Sequence, residues 1–254
     1  MGRLACLLTL GLWLSGGTAP AQQAEADLEI VFAVDASGSV DDEEFHLQIG
    51  GIVAALRDPK IQAAIRSGPT QRIAAALMIW SDAAYAKYKT DWFTLNSPES
   101  AERFAAEVQR LGTRLQTQRK IGGGTAIGDA IVHALEMMDG NGVTAIRRVI
   151  DVSGDGIETP PWAEPAPMLP EARQRAAAKG VMVNGLAITH DFPDLVAYYR
   201  DNVITGPGSF VVQALDFGDF KRAIREKMWR EFSFIFARND DAPIRGRLAF
   251  DSGD

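Results

Sequence analysis

The sequence predicts a doubly wound α/β domain: a mostly parallel six-stranded sheet with one antiparallel edge strand, and helices on both faces. Segment 29–34 is an almost unbroken apolar run, as a strand covered on both faces requires, and 73–80, 147–152 and 181–188 read as further strands. Between them lie stretches with helical periodicity, and β alternating with α in this order makes a parallel sheet wrapped by helices. The 254 residues are 46% hydrophobic and 23% charged, which is ordinary for a globular protein and ample for one large core.

The elements follow in chain order. After the strand at 29–34 a helix begins near Asp41, where Asp41 and Glu44 have capping-box spacing and Phe45, Ile49, Ile52, Val53 and Leu56 mark one face. The second strand, 73–80, runs through a tight turn at Ser81-Asp82 into a third at 85–89, whose alternating aromatic and basic residues suit an exposed edge. An amphipathic helix spans 97–111, with Phe104, Val108 and Leu111 inward. A glycine loop precedes the next helical face, Ile127, Ala130, Ile131, Ala134, Leu135 and Met138. A strand at 147–152, a helix at 171–179, a strand at 181–188, a short helix at 194–201, a strand at 209–214 and a helix at 217–236 complete the series. No repeat or long linker divides the chain, so residues 22–238 are expected to form one domain. The polar tail 239–254 lacks periodicity and is expected to be mobile.

The first residues predict a removable leader. Arg3 is the only charge before Glu25; an apolar stretch follows it and ends at Ala19-Pro20-Ala21, the pattern of a secretory signal peptide cleaved after Ala21. The stretch is too short to span a bilayer, and no later one is suited to anchor the chain, so an exported product, periplasmic or secreted, is expected. Cys6, the single cysteine, falls in the leader, which excludes disulfides, catalytic cysteine and thiolate metal sites from the mature chain. A formal charge of -7 and no basic run longer than two residues argue against nucleic acid and anionic lipid as partners.

Chemistry gathers where strands end. In an open parallel sheet, ligands bind at the carboxyl ends of strands near the reversal of strand order. Asp35-Ala36-Ser37-Gly38-Ser39 leaves the first strand, Gly122-Gly123-Gly124-Thr125 precedes a helix, and Ser153-Gly154-Asp155-Gly156 ends the strand at 147–152. Asp35, Ser37, Ser39, Thr125 and Asp155 are all hard oxygen donors, suited to Mg²⁺ first, with Mn²⁺ or Ca²⁺ as alternatives. Alternate residues of an extended turn point the same way, so Asp35, Ser37 and Ser39 can converge. Taken alone, Asp35-Ser37-Ser39 is equally explained by an Asx turn with helix-capping hydroxyls, and the loop 122–125 by a phosphate cradle at a helix N-terminus. The glycine loop lacks the Gly-Lys-Ser/Thr ending of a phosphate-binding loop.

Asp35-x-Ser37-x-Ser39, Thr125 after glycines and Asp155-Gly156 together resemble the metal-ion-dependent adhesion site of von Willebrand factor A domains. The likeness extends over roughly 28–236 and points to a secreted bacterial branch of unassigned function. It implies direct metal ligation by Ser37, Ser39 and Thr125, with Asp35 and Asp155 acting directly or through water. Gly154 departs from the family, where threonine is frequent. The function so implied is an exported, divalent-metal-dependent protein-binding module whose ion accepts an Asp or Glu carboxylate from a partner. The alternatives are a metal-dependent hydrolase of a phosphoester or peptide and a scaffold with a vestigial site.

An enzyme is disfavoured. His46 and His133 lie on helices, no G-x-S-x-G elbow exists for His190 to serve, and an aspartyl phosphatase would want Asp where Ser37 stands. Asp151, inside a strand, is read either as orienting loop hydroxyls or as capping a neighbouring backbone. Asp82 is read as a turn former. In the Pro-rich loop 158–170, Trp162 is read as packing the loop onto the body in preference to anchoring a partner.

Overall fold

The computed structural model describes residues 24–118, 123–161 and 165–233; the leader with Cys6, Gly122, Trp162 and the 239–254 tail lie outside the described residues. The strands are β1 (Ala24–Asp35), β2 (Ile73–Trp80), β3 (Tyr88–Lys89), β4 (Phe93–Leu95), β5 (Val143–Gly154), β6 (Met182–Ile188) and β7 (Val211–Ala214). The helices are α1 (Asp42–Arg57), α2 (Pro59–Ile65), α3 (Pro98–Gln118), α4 (Ile127–Met138), α5 (Leu169–Ala178), α6 (Leu195–Tyr198) and α7 (Phe220–Ser233), with a π-helical turn at Tyr199–Val203 after α6.

The sheet runs β3-β2-β1-β5-β6-β7, with β4 also on β2. β1 is parallel to both β2 and β5, and β6 and β7 continue the parallel set. The chain thus leaves β1 in one direction and returns to its other side at β5, so strand order reverses between these two. Val34 lies opposite Ser153 there, placing Asp35 and Asp155 at the crevice where such sheets take ligands.

The sheet has seven strands where the sequence predicts six, because the antiparallel edge comes in two pieces. β3 pairs Met78 with Lys89, and β4 pairs Ala75 with Phe93, one residue out of register. Between them Thr90 completes the ladder twice: its N–H donates to the Leu77 carbonyl (2.9 Å), and its hydroxyl accepts from the Leu77 N–H (3.0 Å). The slip is a bulge, which twists and blunts an edge. Residues 81–87 form a loop, and the aromatic-basic alternation that predicts a strand at 85–89 yields pairing only at its end.

Strand alternation divides the core. Leu28, Ile30, Phe32 and Val34 face α1, α2, α3 and α7; Val31 and Ala33 face α4, α5 and α6. The capping box at the start of α1 is complete: the Asp41 carboxylate accepts from the Glu43 and Glu44 N–H groups, and Glu44 accepts from the Asp41 N–H. β1 starts ahead of its apolar run because its buried acids are satisfied. Asp27 accepts from the Thr70 and Arg72 N–H groups, and Glu29 from Asn141 and Arg148.

Asp151 fills neither role expected of it. It lies on the α7 side of β5, away from the loops, with a carboxylate oxygen 2.6 Å from Lys227 Nζ. Lys227 also donates to Glu231 (2.8 Å), and Asn184 of β6 donates to the same Glu231 oxygen (2.9 Å). Arg147 donates to the Glu231 carbonyl. Burial pushes the Asp151 carboxyl up, the Glu231 charge adds to this, and Lys227 opposes it.

Another pairing fixes the loop after β2. Lys87 forms an ion pair with Asp129 of α4 and donates to the Asp82 carbonyl (3.1 Å). His133, one turn along α4, places Nδ1 3.0 Å from the Asp129 carbonyl and 3.4 Å from its carboxylate, which raises the imidazole pKa. A folded-state pKa above the unfolded value gives stabilisation that is complete below about pH 6.5 and lost as pH rises through the folded value. His133→Gln should therefore lower the melting temperature at about pH 5.5 and hardly at all at about pH 8.5. The ring is 43% exposed, which keeps the effect under about 1 kcal/mol. Equal losses at both pH values would rule out the ionic contribution.

Candidate metal centre

Three loops from the carboxyl edge are tied to one another by backbone groups. In the first, the Ser37 N–H donates to Asp35 Oδ1 (2.8 Å), closing an Asx turn, and Gln48 of α1 donates to the Asp35 carbonyl (3.1 Å). The Gly38 N–H donates across to the Gly123 carbonyl (2.9 Å). Gly123 has φ +82°, the left-handed region that glycine tolerates. Gly124 donates to Asp82 Oδ2 (3.0 Å), while Asp82 Oδ1 holds its own turn through the Ala84 N–H (2.8 Å). Thr159, after β5, joins the third loop to the second: its N–H donates to the Thr125 carbonyl (2.9 Å), and its hydroxyl accepts from the Thr125 N–H (2.8 Å).

Within this frame the five side chains come together. Thr125 Oγ1 lies 3.3 Å from Ser37 Oγ, Ser37 Oγ lies 3.3 Å from Ser39 Oγ, and Ser39 Oγ donates to Asp155 Oδ1 (2.9 Å). Asp35 is wholly buried at the end of β1, and its Oδ2 finds no hydrogen-bond partner among the described residues. Ser37, Thr125 and Asp155 are buried, whereas Ser39 is exposed, so the cluster opens to solvent on one side.

The electrostatics are those of a site short of positive charge. Burial, reinforced by the Asp155 charge, pushes the Asp35 carboxyl up to about 8. Burial also raises Asp155, and Asp191 adds to it. The charges that raise these carboxyls are those of other carboxylates. Two buried acids beside three hydroxyls, with an orphaned carboxylate oxygen among them, fit a hard divalent cation. Among the described residues no three His, Cys, Asp or Glu side chains gather, so an ion here would depend on the serine and threonine hydroxyls.

Asp82 proves to be more than a turn former, and Thr159 and Gln48 carry no sequence pattern that marks them. Asp82 had one usable signal: it follows β2 at the same sheet edge. Glu158 holds the Pro-rich loop, accepting from the Gly128 (2.8 Å) and Leu169 (2.9 Å) N–H groups; Trp162 lies outside the described residues.

A family model described as "Protein of unknown function (DUF1194)" matches residues 25–235. The chain belongs to that family. No curated protein matches the DUF1194 chain by sequence. Among solved structures it is similar to proximal thread matrix protein 1 from the mussel byssus, at 17% identity and TM-score 0.55, over 83% of this chain and 46% of that one. A form of the mussel protein with a zinc-occupied MIDAS motif matches at 16% identity and TM-score 0.53, over 85% and 49%. The vWF domain of the type V pili tip protein Mfa5 from Porphyromonas gingivalis matches at 10% identity and TM-score 0.55, over 86% and 98%. The DUF1194 chain spans about half the length of the mussel protein. At these identities the likeness is one of fold: von Willebrand factor A/Rossmann-like α/β.

Proposed function

We propose that this DUF1194 protein is an exported, divalent-cation-dependent protein-binding module. One observation carries the reading: one oxygen of the buried Asp35 carboxylate, Oδ2, has no hydrogen-bond partner among the described residues, beside a contiguous chain of hydroxyls and a second buried carboxylate. Asp35, Ser37, Ser39, Thr125 and Asp155 would hold Mg²⁺, or Mn²⁺ or Ca²⁺. Mg²⁺ takes six ligands and tends to keep waters, so a position on the solvent side is open to a Glu or Asp carboxylate from a partner protein.

The surroundings suit a macromolecule. Tyr85, Ile157 and Phe192 stand exposed on the loops that leave β2, β5 and β6 at this edge. Aromatic side chains such as Tyr85 and Phe192 are of the kind enriched at protein interfaces. The matrix and pilus proteins that share the fold support an interaction role, and the apolar leader at 1–21 supports export. Among the described residues no helix is long and apolar enough to cross a membrane.

The test is a thermal melt in Mg²⁺, Mn²⁺, Ca²⁺ or EDTA. A cation at about 100 times its Kd stabilises by about 2.7 kcal/mol, on the order of 5–10 °C for a domain of this size. A melt indifferent to all four conditions would overturn the reading. Crosslinked pull-down from the exporting cell should then recover a partner that EDTA releases. Turnover of simple phosphoesters with Mn²⁺ would instead favour a hydrolase.

A further inference from the structure

We propose that Tyr199 is a positioning residue of this metal centre, its phenol hydroxyl seated in the space that Gly154 leaves open and steering the Asp35 carboxylate onto the ion. The inference rests on the metal-centre reading above and adds a residue to it.

Tyr199 is fully buried beneath the carboxyl end of the sheet. It opens the π-helical turn, closed by the Ile204 N–H donating to the Tyr199 carbonyl (3.0 Å). Such turns insert an extra residue into a helix and recur at functional sites. Two glycines make its slot. A Cβ at Gly185 of β6 would come within 2.7 Å of the Tyr199 ring. A Cβ at Gly154 of β5 would lie 2.7 Å from the Tyr199 hydroxyl and 2.8 Å from Asp35 Oδ2. Hydroxyl and carboxylate oxygen therefore line one small space, both within 2.8 Å of the same point.

Neither oxygen has a hydrogen-bond partner among the described residues. Leaving a buried hydroxyl unsatisfied is costly, and phenylalanine would fill the same slot without that cost. The neighbouring Tyr198 differs, since its hydroxyl accepts from the Glu158 N–H (3.1 Å). A hydroxyl kept beside the orphaned oxygen of Asp35 would have a clear use there: with Asp35 holding a cation, the phenol would donate to Oδ2 and orient the carboxylate. Groups that orient metal ligands in this way typically contribute about 10–100-fold to affinity.

The experiment titrates Mn²⁺ into the wild-type chain and Tyr199→Phe, with the metal-free melt of each. Mn²⁺ affinity should fall about 10–100-fold in Tyr199→Phe, while its metal-free melting temperature holds or rises. Equal affinities would overturn the proposal and leave the metal centre standing; a wild-type chain that binds no Mn²⁺ would overturn both. A second readout needs no variant at position 199. The chain has four tyrosines, so with ¹³Cζ-tyrosine labelling the Tyr199 resonance is identified by elimination using Tyr85→Phe, Tyr88→Phe and Tyr198→Phe. Mg²⁺ should shift that resonance, as a new hydrogen bond donated by the phenol requires. Saturation with Mg²⁺ that leaves it unmoved would overturn the proposal.

Discussion

Asp35→Asn is expected to abolish divalent-cation binding and at the same time raise the melting temperature of the metal-free protein by several degrees. Both effects have one origin. The carboxylate is wholly buried, and burial with the Asp155 charge moves it from 3.8 to about 8, so without an ion its charge opposes folding. A group whose folded pKa is raised loses stability as pH climbs from its unfolded value to its folded one. The advantage of the asparagine should thus be absent below about pH 4 and complete above about pH 8. An amide keeps the turn, because its oxygen still accepts from the Ser37 N–H, so the loop survives the change. Calorimetric titration with Mg²⁺ and melts across pH measure the two halves separately. Retained binding would show that Asp35 is not a ligand, and a lower melting point at neutral pH would show that its buried charge does not oppose folding.

Lys227→Met is the counterpart, with the opposite sign and no bearing on the ion. The ammonium is fully buried against Asp151 and Glu231. Removing one partner of a buried ion pair leaves uncompensated charge and costs about 3–5 kcal/mol, on the order of 6–20 °C in melting temperature at this size. Burial already pushes Asp151 up, and losing the cation pushes it further, so the deficit should shrink as pH falls and the carboxyl takes up a proton. Adding Asp151→Asn should recover part of the loss, the non-additivity expected of groups in contact. Urea unfolding of the single and double variants measures it; a loss below about 1 kcal/mol would mean that solvent reaches the cluster.

These two clusters mark how far the sequence could be read. The strands of the sheet centre were legible because burial on both faces leaves nearly continuous apolar runs, and the reversal of strand order followed from βα alternation. The short edge strands were not. Pairing of β3 and β4 with β2 depends on Thr90 bridging a one-residue slip, which no periodicity records. Likewise β1 begins ahead of its apolar run, because the buried Asp27 is matched by backbone groups far along the chain. At the candidate centre, side chains spaced two apart in one turn and glycines before Thr125 could be picked out. Asp82 and Thr159, which hold the loops in place, and Tyr199, which approaches from a π-helical turn, reach the site only through tertiary packing. Gly154, a neutral departure when read in sequence, acquires a reason once Tyr199 is seen against it. Asp151 was misjudged because its partner comes from α7, 76 positions later in the numbering.

The contact between Ser39 and Asp155 joins residues 116 positions apart, and that between Ser37 and Thr125 joins residues 88 apart. No stretch emerging from the ribosome before β5 carries the whole set of oxygens, and chain closure over such spans is slow. An ion held there would therefore have to wait for the finished sheet, so that loading would report completed folding and a half-made chain would offer scavenged cations only a fragment of the cradle.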